Sequence, residues 1–345
     1  MFGMLTGGLP RITADGVDLD ALEAEMAAGT ATREALAAAT DRLVAELVGA
    51  QTDAGLELIT DGQVRWRDLA DAVVAAVSAA DADSPDASPA DLLTAAWRST
   101  AVLTDRPVAQ AVPGPYSLGR RAAGGSAAAR RSRTLRLAQA LGGALSALAE
   151  AGCPVVVVEE PDAVRIGTNA GERRLFAETQ VRLLERVPDL HAMLAISGGS
   201  AADAGAETIF AAPYHSHLFD LIAGPDDWVL VRAAPSDRGI VCGALRAGPI
   251  AVGGQAPVLV WAANYAASTG ARGLRRVGLA NATLLRNLTR DEALVAIREL
   301  GRAASFAAMA PEDAISAGLD PRTFGNRPSP QPPRRARRRT SGPSG

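Results

Sequence analysis

The chain has 345 residues, of which 48% are hydrophobic, and its formal net charge is −3 at pH 7. All 35 basic residues are arginine, so a phosphate-binding loop with its lysine and Schiff-base catalysis by lysine are both excluded. This small net charge gives no overall field that would attract nucleic acid or a membrane surface. The length suffices for one large core or two modest ones.

Short apolar runs alternate along the chain with longer stretches rich in Ala, Leu and Arg, a pattern typical of strands alternating with helices. The predicted strands are 2–9, 56–62, 108–112, 155–158, 191–196, 228–231, 240–245 and 277–280. The predicted helices are 33–54, one starting near residue 67, 127–151, 172–186, 256–268 and 289–307. Thr289 and Glu292 predict a capping box at the start of the last helix.

Eight strands separated by helices predict an α/β fold, a single (β/α)8 TIM barrel over residues 1–325, because parallel strands need helical crossovers. A doubly wound open sheet is the alternative, although no G-x-G-x-x-G joins a strand to a helix. Residues 81–91 are rich in Asp, Ser and Pro and predict an exposed loop. Residues 326–345, rich in Pro and Arg, predict a disordered basic tail.

The cysteine content and the lack of long apolar segments indicate the expected cellular location. Two cysteines, Cys153 and Cys242, do not make a disulfide framework, and we expect two buried thiols. No basic segment followed by a long apolar one opens the chain, and no apolar run approaches about 20 residues. We therefore expect a cytoplasmic protein without a membrane span or a nucleic-acid partner.

The most informative segment is Val155 to Val158, followed by Glu159, Glu160 and Pro161. Four β-branched residues predict a strand that is buried on both faces, and the proline ends it. Two carboxylates at the end of such a strand are expensive to desolvate, so a purely structural role rarely places them there. Barrel enzymes build their active sites at this end of their strands.

Polar residues also follow the other predicted strands, and together they predict a site for a small zwitterionic or anionic ligand. A salt bridge in the barrel mouth, such as Glu159 with Arg232, is the alternative explanation for any single charge. The candidate catalytic residues are Glu159, Glu160 and Arg232. The candidate substrate-binding residues are Thr6, Gly7, Gly8, Asp61, Gln63, Tyr116 and Ser117. The other polar positions in the predicted ring are His191, Arg246, Asn281 and Thr283.

Four segments resemble the C-terminal catalytic domain of cobalamin-independent methionine synthase, in the family's order and each on a predicted strand. Residues 4–11 are similar to its opening strand motif, and 56–68 to its Gly-Leu-Asp … Gly-Glu … Asp segment. Residues 113–115 resemble its Gly-Pro turn, and 157–161 its Asp-Glu-Pro strand. The resemblance spans residues 4–307 and extends to the wider superfamily, which includes uroporphyrinogen decarboxylase.

The resemblance implies methyl transfer from a folate to the thiol of homocysteine, with a zinc ion that holds the thiolate. The family's zinc ligands are a His-x-Cys pair, a Glu and a second Cys. His191 matches the histidine, whereas Met193, Arg232 and Thr283 stand where the other three ligands are expected. A thioether, a guanidinium and a hydroxyl are poor replacements, so the resemblance implies a degenerate zinc site with His191 as the ligand retained.

The amino-acid-binding half of the family pattern is better kept. Glu159 stands at the family's carboxylate, which holds the substrate ammonium, and Gln63 replaces a family Glu with loss of its charge. The resemblance therefore implies a small amino acid or thiol as partner, with a folate or a corrinoid protein as methyl donor. The chain has room for one barrel, whereas full-length family members carry two, which weakens the case for folate.

Three functions remain open at this point. The first is a methionine synthase-like methyltransferase, and the second is a catalytically silent relative that binds a small molecule, which the missing zinc ligands favour. The third is a decarboxylase-like enzyme, which needs Arg11, Arg65 and Arg67 in the pocket. His215 and His217 could share a metal on a strand, but residues 210–222 predict a helix or loop, which favours locally bonded histidines.

Overall fold

The computed structural model describes residues 1–309 apart from 82–87, 122–125, 186, 188–189, 247, 249–254 and 283. The predicted tail, the last part of the predicted barrel domain and Thr283 lie outside the described residues.

Seven parallel strands form one curled sheet, in the spatial order β1-β7-β6-β5-β4-β3-β2. The strands are β1 Phe2–Gly3, β2 Ala109–Pro113, β3 Val155–Glu159, β4 His191–Ile196, β5 Ser216–Asp220, β6 Gly239–Leu245 and β7 Val277–Asn281. Leu58 and Ile59 close the curl, because they form parallel bridges to Met4 and Val108 beside the two edge strands. The predicted TIM barrel is therefore confirmed, with the second strand position reduced to these bridges.

Helices cover the outside of this sheet. Their bounds are α1 Leu19–Ala27, α2 Arg33–Asp53, α3 Leu69–Asp81, α4 Pro89–Ala101, α5 Pro115–Arg121, α6 Ala127–Glu150, α7 Ala170–Leu184, α8 Ala206–Ile209, α9 Trp228–Ala233, α10 Ala256–Ser268 and α11 Arg290–Ala308. Side chains of Asp18, Thr32, Ser126 and Asn169 accept from free N–H groups at helix starts. The capping box predicted at Thr289 is present. No described helix is long and apolar enough to cross a membrane.

The strand predicted at 228–231 is wrong, because these residues belong to α9 and β5 supplies the strand instead. All five residues of β5 are buried, whereas Val229 in α9 is 53% exposed, which a central barrel strand does not allow. The hydrophobic pattern does not predict β5, because three of its residues, Ser216, His217 and Asp220, are polar.

Two apolar clusters follow from the alternation of side chains along each strand. The larger cluster lies between the sheet and the helices. The smaller cluster fills the inside of the barrel, and its members are Met4, Leu58, Ala109, Val157, Met193, Ala195, Leu218, Val241 and Ala280. This inner layer leaves a cavity at each end of the barrel.

Candidate functional site

A cavity of about 660 Å³ lies at the carboxyl ends of the strands, and we call it the cup. Ligand sites in this fold lie at this end, and the volume falls in the range of small-molecule pockets. Predicted site residues that line the cup are Thr6, Gly7, Gly8, Gln63, Ser117 and Glu159. The structure therefore brings together residues that are up to 153 positions apart in the chain.

Glu159 is the last residue of β3. Its carboxylate links the segment after β1 to Gln63, in the loop that follows Ile59. Its Oε1 accepts from the Thr6 hydroxyl at 3.3 Å, the Gly7 amide at 3.1 Å and the Gln63 side-chain amide at 2.8 Å. Its Oε2 accepts no hydrogen bond from the described residues. Burial raises the pKa of Glu159, and the three hydrogen bonds oppose that rise. One face of the carboxylate is thus fixed, and the other is available to a ligand.

Asp61 lies behind the cup and does not line it, in contrast to its predicted role. Its Oδ1 accepts from the Gln63 amide at 2.8 Å and so stabilises the left-handed backbone of Gln63, whose φ is 55°. Burial raises the pKa of Asp61, opposed by this hydrogen bond. Asp61 therefore acts through Gln63, which it holds against Glu159.

Glu160 also lies outside the cup, because it faces the opposite side of the backbone from Glu159. Its Oε1 accepts from the Tyr116 amide and the Gln180 side chain, and its Oε2 from the amide and hydroxyl of Ser117. These bonds cap the start of α5, and burial raises the pKa of Glu160 to about 7. A Cβ on Gly114 would lie 2.1 Å from the Glu160 carboxyl carbon, so only glycine fits there.

Tyr116 is buried beside α7 and does not line the cup. Its hydroxyl donates to Glu172 at 2.6 Å, and its ring packs edge-on against Phe176 at 5.4 Å. Burial and the neighbouring Glu172 carboxylate raise the pKa of Tyr116 far above its ordinary value. Tyr116 and Glu160 thus anchor α5, and Ser117 is the residue of that helix start that reaches the cup.

Arg232 and His191 lie far from their predicted positions. Arg232 is an exposed residue of α9 and forms no ion pair with Glu159. His191 begins β4, so it lies at the amino end of the barrel, and the strand runs on to Ile196 before it reaches the cup. Ser197 and Gly198 line the cup after β4 instead. The prediction of a carboxyl-end position for His191 is wrong, because the first residue of a strand lies at the amino end, as the predicted bounds 191–196 already imply.

Asp220 and Asn281 line the cup and hold its loops in place, and Asn281 is one of the polar residues predicted at the strand ends. Asp220 accepts from the Gly198 amide at 3.0 Å and from the amides of Ile222 and Ala223. Asn281 is fully buried, accepts from the Thr6 amide at 2.9 Å and donates to the Thr6 carbonyl at 2.8 Å. Their positions at the ends of β5 and β7 were the available signal.

Arg286 is the residue of the cup that sequence reasoning missed. It follows β7 and donates to the Trp66 carbonyl at 3.1 Å, but it forms no ion pair with a carboxylate among the described residues. Burial lowers its pKa, and the neighbouring Arg11 lowers it further. A Cβ on Gly8 would lie 3.3 Å from the Arg286 guanidinium, so a glycine lets the cation approach the β1 end. Arg286 is thus a half-buried charge that forms no ion pair with a described residue, while the carboxylates of Asp20, Asp68 and Glu23 lie close enough to oppose the lowering of its pKa.

The other arginines near the cup are already paired. Arg67 contacts Asp20 at 3.4 Å, and Arg121 binds Asp68 at 2.7 Å. Arg11 is buried against Asp20 and Glu23 and does not line the cup. Arg65 contacts Asp41 at 3.0 Å and is also outside it. The arginine-rich pocket that a decarboxylase-like function requires is therefore not formed by Arg11 and Arg65.

The residues that line the cup do not fit the zinc of the methionine synthase family. The lining includes no Cys and no His among the described residues, and these residues contain no group of three or more His, Cys, Asp or Glu that could hold a metal. Cys153 and Cys242 are buried elsewhere, as expected, and burial raises the pKa of each thiol to about 12. His217 lies among aromatic rings, and His215 stacks on His191 at 5.1 Å.

No protein-family model and no curated protein matches the chain. Several solved structures are similar to it. A protein described as a vitamin-B12-independent methionine synthase from Listeria monocytogenes gives a TM-score of 0.67 at 15% identity, over 90% of this chain and 98% of that one. A B12-independent methionine synthase from Shewanella sp. W3-18-1, in complex with selenomethionine, gives 0.67 at 11% identity, over 91% and 98%. A methyltransferase from Methanosarcina mazei gives 0.57 at 14% identity, over 87% and 94%.

At these identities the likeness is one of fold, and the chain is similar to these proteins in its TIM barrel.

Proposed function

We propose that this chain is a methyltransferase-like protein that binds a small amino acid or thiol of the homocysteine type in the cup. One observation carries the proposal: the cup holds two opposite charges, Glu159 and Arg286, and neither forms an ion pair with a described residue. Each keeps hydrogen-bonding positions that no described residue occupies, namely Oε2 of Glu159 and further N–H groups of Arg286. A zwitterion can occupy both sets of positions at once, with a charge-assisted hydrogen bond at each end.

Different residues of the cup bind different groups of the ligand. Oε2 of Glu159 accepts from the ligand ammonium, in keeping with the resemblance, and the free N–H groups of Arg286 donate to its carboxylate. Leu284 is 56% exposed and lines the same cavity, so it offers an apolar surface to the ligand side chain. Gln63 keeps the Glu159 carboxylate oriented.

The fold likeness supports the same class of ligand, since the Shewanella protein was solved with selenomethionine. Methyl transfer to a thiol forms a carbon–sulfur bond, breaks the bond between the methyl group and its donor, and releases the thiol proton. The family's zinc activates the thiol for this step, and the described cup offers no thiolate or imidazole ligand for it. We therefore propose binding by the residues above and route no step through a metal.

A catalytically silent binder is the second candidate, and the absence of Cys and His from the described cup lining favours it. Turnover separates the two functions. The protein would be incubated with L-homocysteine and either methyl-tetrahydrofolate or methylcobalamin, and methionine would be measured by mass spectrometry. Methionine formed above the rate of a Glu159→Gln variant supports the enzyme, and none with either donor supports the binder.

Calorimetric titration with L-methionine and L-homocysteine tests binding itself. A hydrogen bond to a charged group contributes about 1.5–3 kcal/mol, so Glu159→Gln and Arg286→Gln should each weaken binding at least about ten-fold. Arg67→Gln is the matched control, because Arg67 also lines the cup but is paired with Asp20. Equal affinity in the wild type and both test variants would contradict the proposed ligand position.

A further inference from the structure

A second cavity, of about 400 Å³, opens at the amino ends of the strands, opposite the cup. We call it the basal pocket, and its walls include Phe2, Val155, His191, Met193, Ser216 and Arg275. Its volume lies in the range of small-molecule pockets. The inner cluster of the barrel, with Val157 and Leu218 buried, lies between it and the cup.

The basal pocket is hollow because two neighbouring strands begin with small residues. Ser216 starts β5 and pairs in register with Gly239, which starts β6. A Cβ on Gly239 would lie 3.0 Å from the Cβ of Ser216, so the backbones are close and no bulky side chain enters there. Barrel interiors are normally filled by layers of branched side chains. An unfilled apolar layer loses dispersion contacts that an apolar ligand restores.

The walls of the basal pocket are apolar, and a few polar groups lie at its rim. Met193 is 1% exposed, and with Val155 and Phe2 it forms an apolar surface. Nε2 of His191 lies 2.8 Å from the Ser216 hydroxyl, and the His191 ring stacks on His215. An apolar cavity with a small number of convergent polar groups is the usual form of a small-molecule site.

Both rim histidines interact with neighbouring groups. Nδ1 of His215 accepts the Ala192 amide at 3.2 Å. Burial, and then repulsion from His215, lowers the pKa of His191 to about 4. His191 therefore adds no positive charge to the rim at neutral pH, and the rim also includes charged arginines and carboxylates.

Most of these rim charges already have partners. Glu57 accepts the Gly3 amide at 2.7 Å, and Asp237 lies 3.7 Å from Arg238. Arg276 donates to the Ser236 carbonyl at 2.7 Å. Neither Arg276 nor Arg275, which also lines the pocket, forms an ion pair with the described residues. Arg275 forms no hydrogen bond with them either, so it has the larger number of free N–H groups for an anion.

We propose that the basal pocket is a second ligand site, which binds a small apolar molecule that carries one anionic group. The apolar body lies against Val155 and Met193, and the anion pairs with Arg275. The Ser216 and His191 pair offers a hydrogen bond to a polar atom of the ligand. This site is independent of the proposed function, because the buried inner cluster separates it from Glu159.

A fluorescence titration with 1-anilinonaphthalene-8-sulfonate tests the site, because this probe combines aromatic rings with one sulfonate. We expect one saturable site on the folded wild type. Val155→Trp, which fills the pocket from its wall, should abolish the signal. Arg275→Gln should weaken binding about five-fold, since an exposed pair contributes up to about 1 kcal/mol. Arg298→Gln, the same charge change on exposed α11, should leave the affinity unchanged.

Two further measurements make the test decisive. Thermal melts establish that each variant is folded, and Val155→Phe replaces Val155→Trp if the larger side chain prevents folding. Saturating L-methionine should not displace the probe, so a failure of the cup proposal and a failure of this one are distinguishable. Absence of a saturable signal would overturn the proposal. So would a signal that survives the filled variant but is lost on Trp261→Ala, which lies in the exposed aromatic cluster with Trp228 and Tyr265.

Discussion

The two ends of the barrel differ in chemistry although the same strands build both. Strand β3 shows this most clearly, because Val155, Val157 and Glu159 alternate onto the inner face. Val155 is an apolar wall of the basal pocket, Val157 fills the middle, and Glu159 presents a carboxylate to the cup. Val155 and Glu159 are four positions apart on one strand, and they line an apolar cavity and a charged one. The direction of the strand decides which of the two residue types each cavity receives.

The residue after Glu159, Glu160, carries the largest expected effect on stability. Burial raises the pKa of Glu160 from its usual 4.5 to about 7, so the folded state binds a proton that the unfolded state has already lost. Stability from this group is present below about pH 4.5 and is lost as the pH rises through 7. The loss is about 3 kcal/mol.

This expectation is checked by urea unfolding at pH 5 and pH 8. The wild type should lose about 3 kcal/mol more over this interval than Glu160→Gln, which cannot titrate. Glu25→Gln, an exposed carboxylate, is the control and should follow the wild type. Parallel slopes for the wild type and Glu160→Gln would show that this carboxyl titrates alike in both states.

Removal of the two hydrogen bonds between Asn281 and Thr6 should have the next largest effect on stability, and these bonds lie at the cup end of the barrel. Asn281→Ala leaves the amide and carbonyl of Thr6 without their partners, which should lower the free energy of unfolding by about 2 kcal/mol. Asn264→Ala, at an exposed position of α10, removes one bond to Val260 and should change stability by less than about 0.5 kcal/mol. Denaturant unfolding measures both, and equal losses would contradict a specific brace at the cup.

Gly7→Ala should have a smaller effect on stability but a clear one on the cup. The φ of Gly7 is 70°, and a Cβ there would lie 2.4 Å from a methyl of Leu284. We expect about 1–2 kcal/mol of destabilisation and weaker L-methionine binding. Gly16→Ala, with φ 87° and no neighbour within 4 Å, isolates the backbone strain. An equal loss of methionine affinity in both variants would refute the local explanation.

His191→Gln should have the smallest effect of all. The side chain lies at the basal end and cannot contact a ligand in the cup, so calorimetry should give the wild-type affinity for L-methionine. Stability should change by about 1 kcal/mol or less, since the side chain makes one hydrogen bond, to Ser216, and the residue as a whole is exposed. A large loss of methionine affinity would revive the family's metal-ligand role for this histidine.

The sequence revealed the barrel because strand and helix patterns alternate strongly, and it revealed Glu159 because a carboxylate ends a β-branched run. It misplaced His191, since the match to the family's histidine put the residue at the carboxyl end, although the predicted strand bounds 191–196 place it at the amino end. It missed β5 because Ser216, His217 and Asp220 break the hydrophobic pattern. Arg286 could not be found by pattern, because its importance lies in facing the cup without an ion pair, which is a property of three-dimensional packing.

The most direct test is a crystal structure of the protein with L-selenomethionine, in which anomalous scattering locates the selenium. The account predicts a single peak in the cup, with the ligand ammonium in hydrogen-bond contact with Glu159 and its carboxylate on Arg286. A peak at the basal end, or a ligand in the cup that touches neither residue, would contradict it.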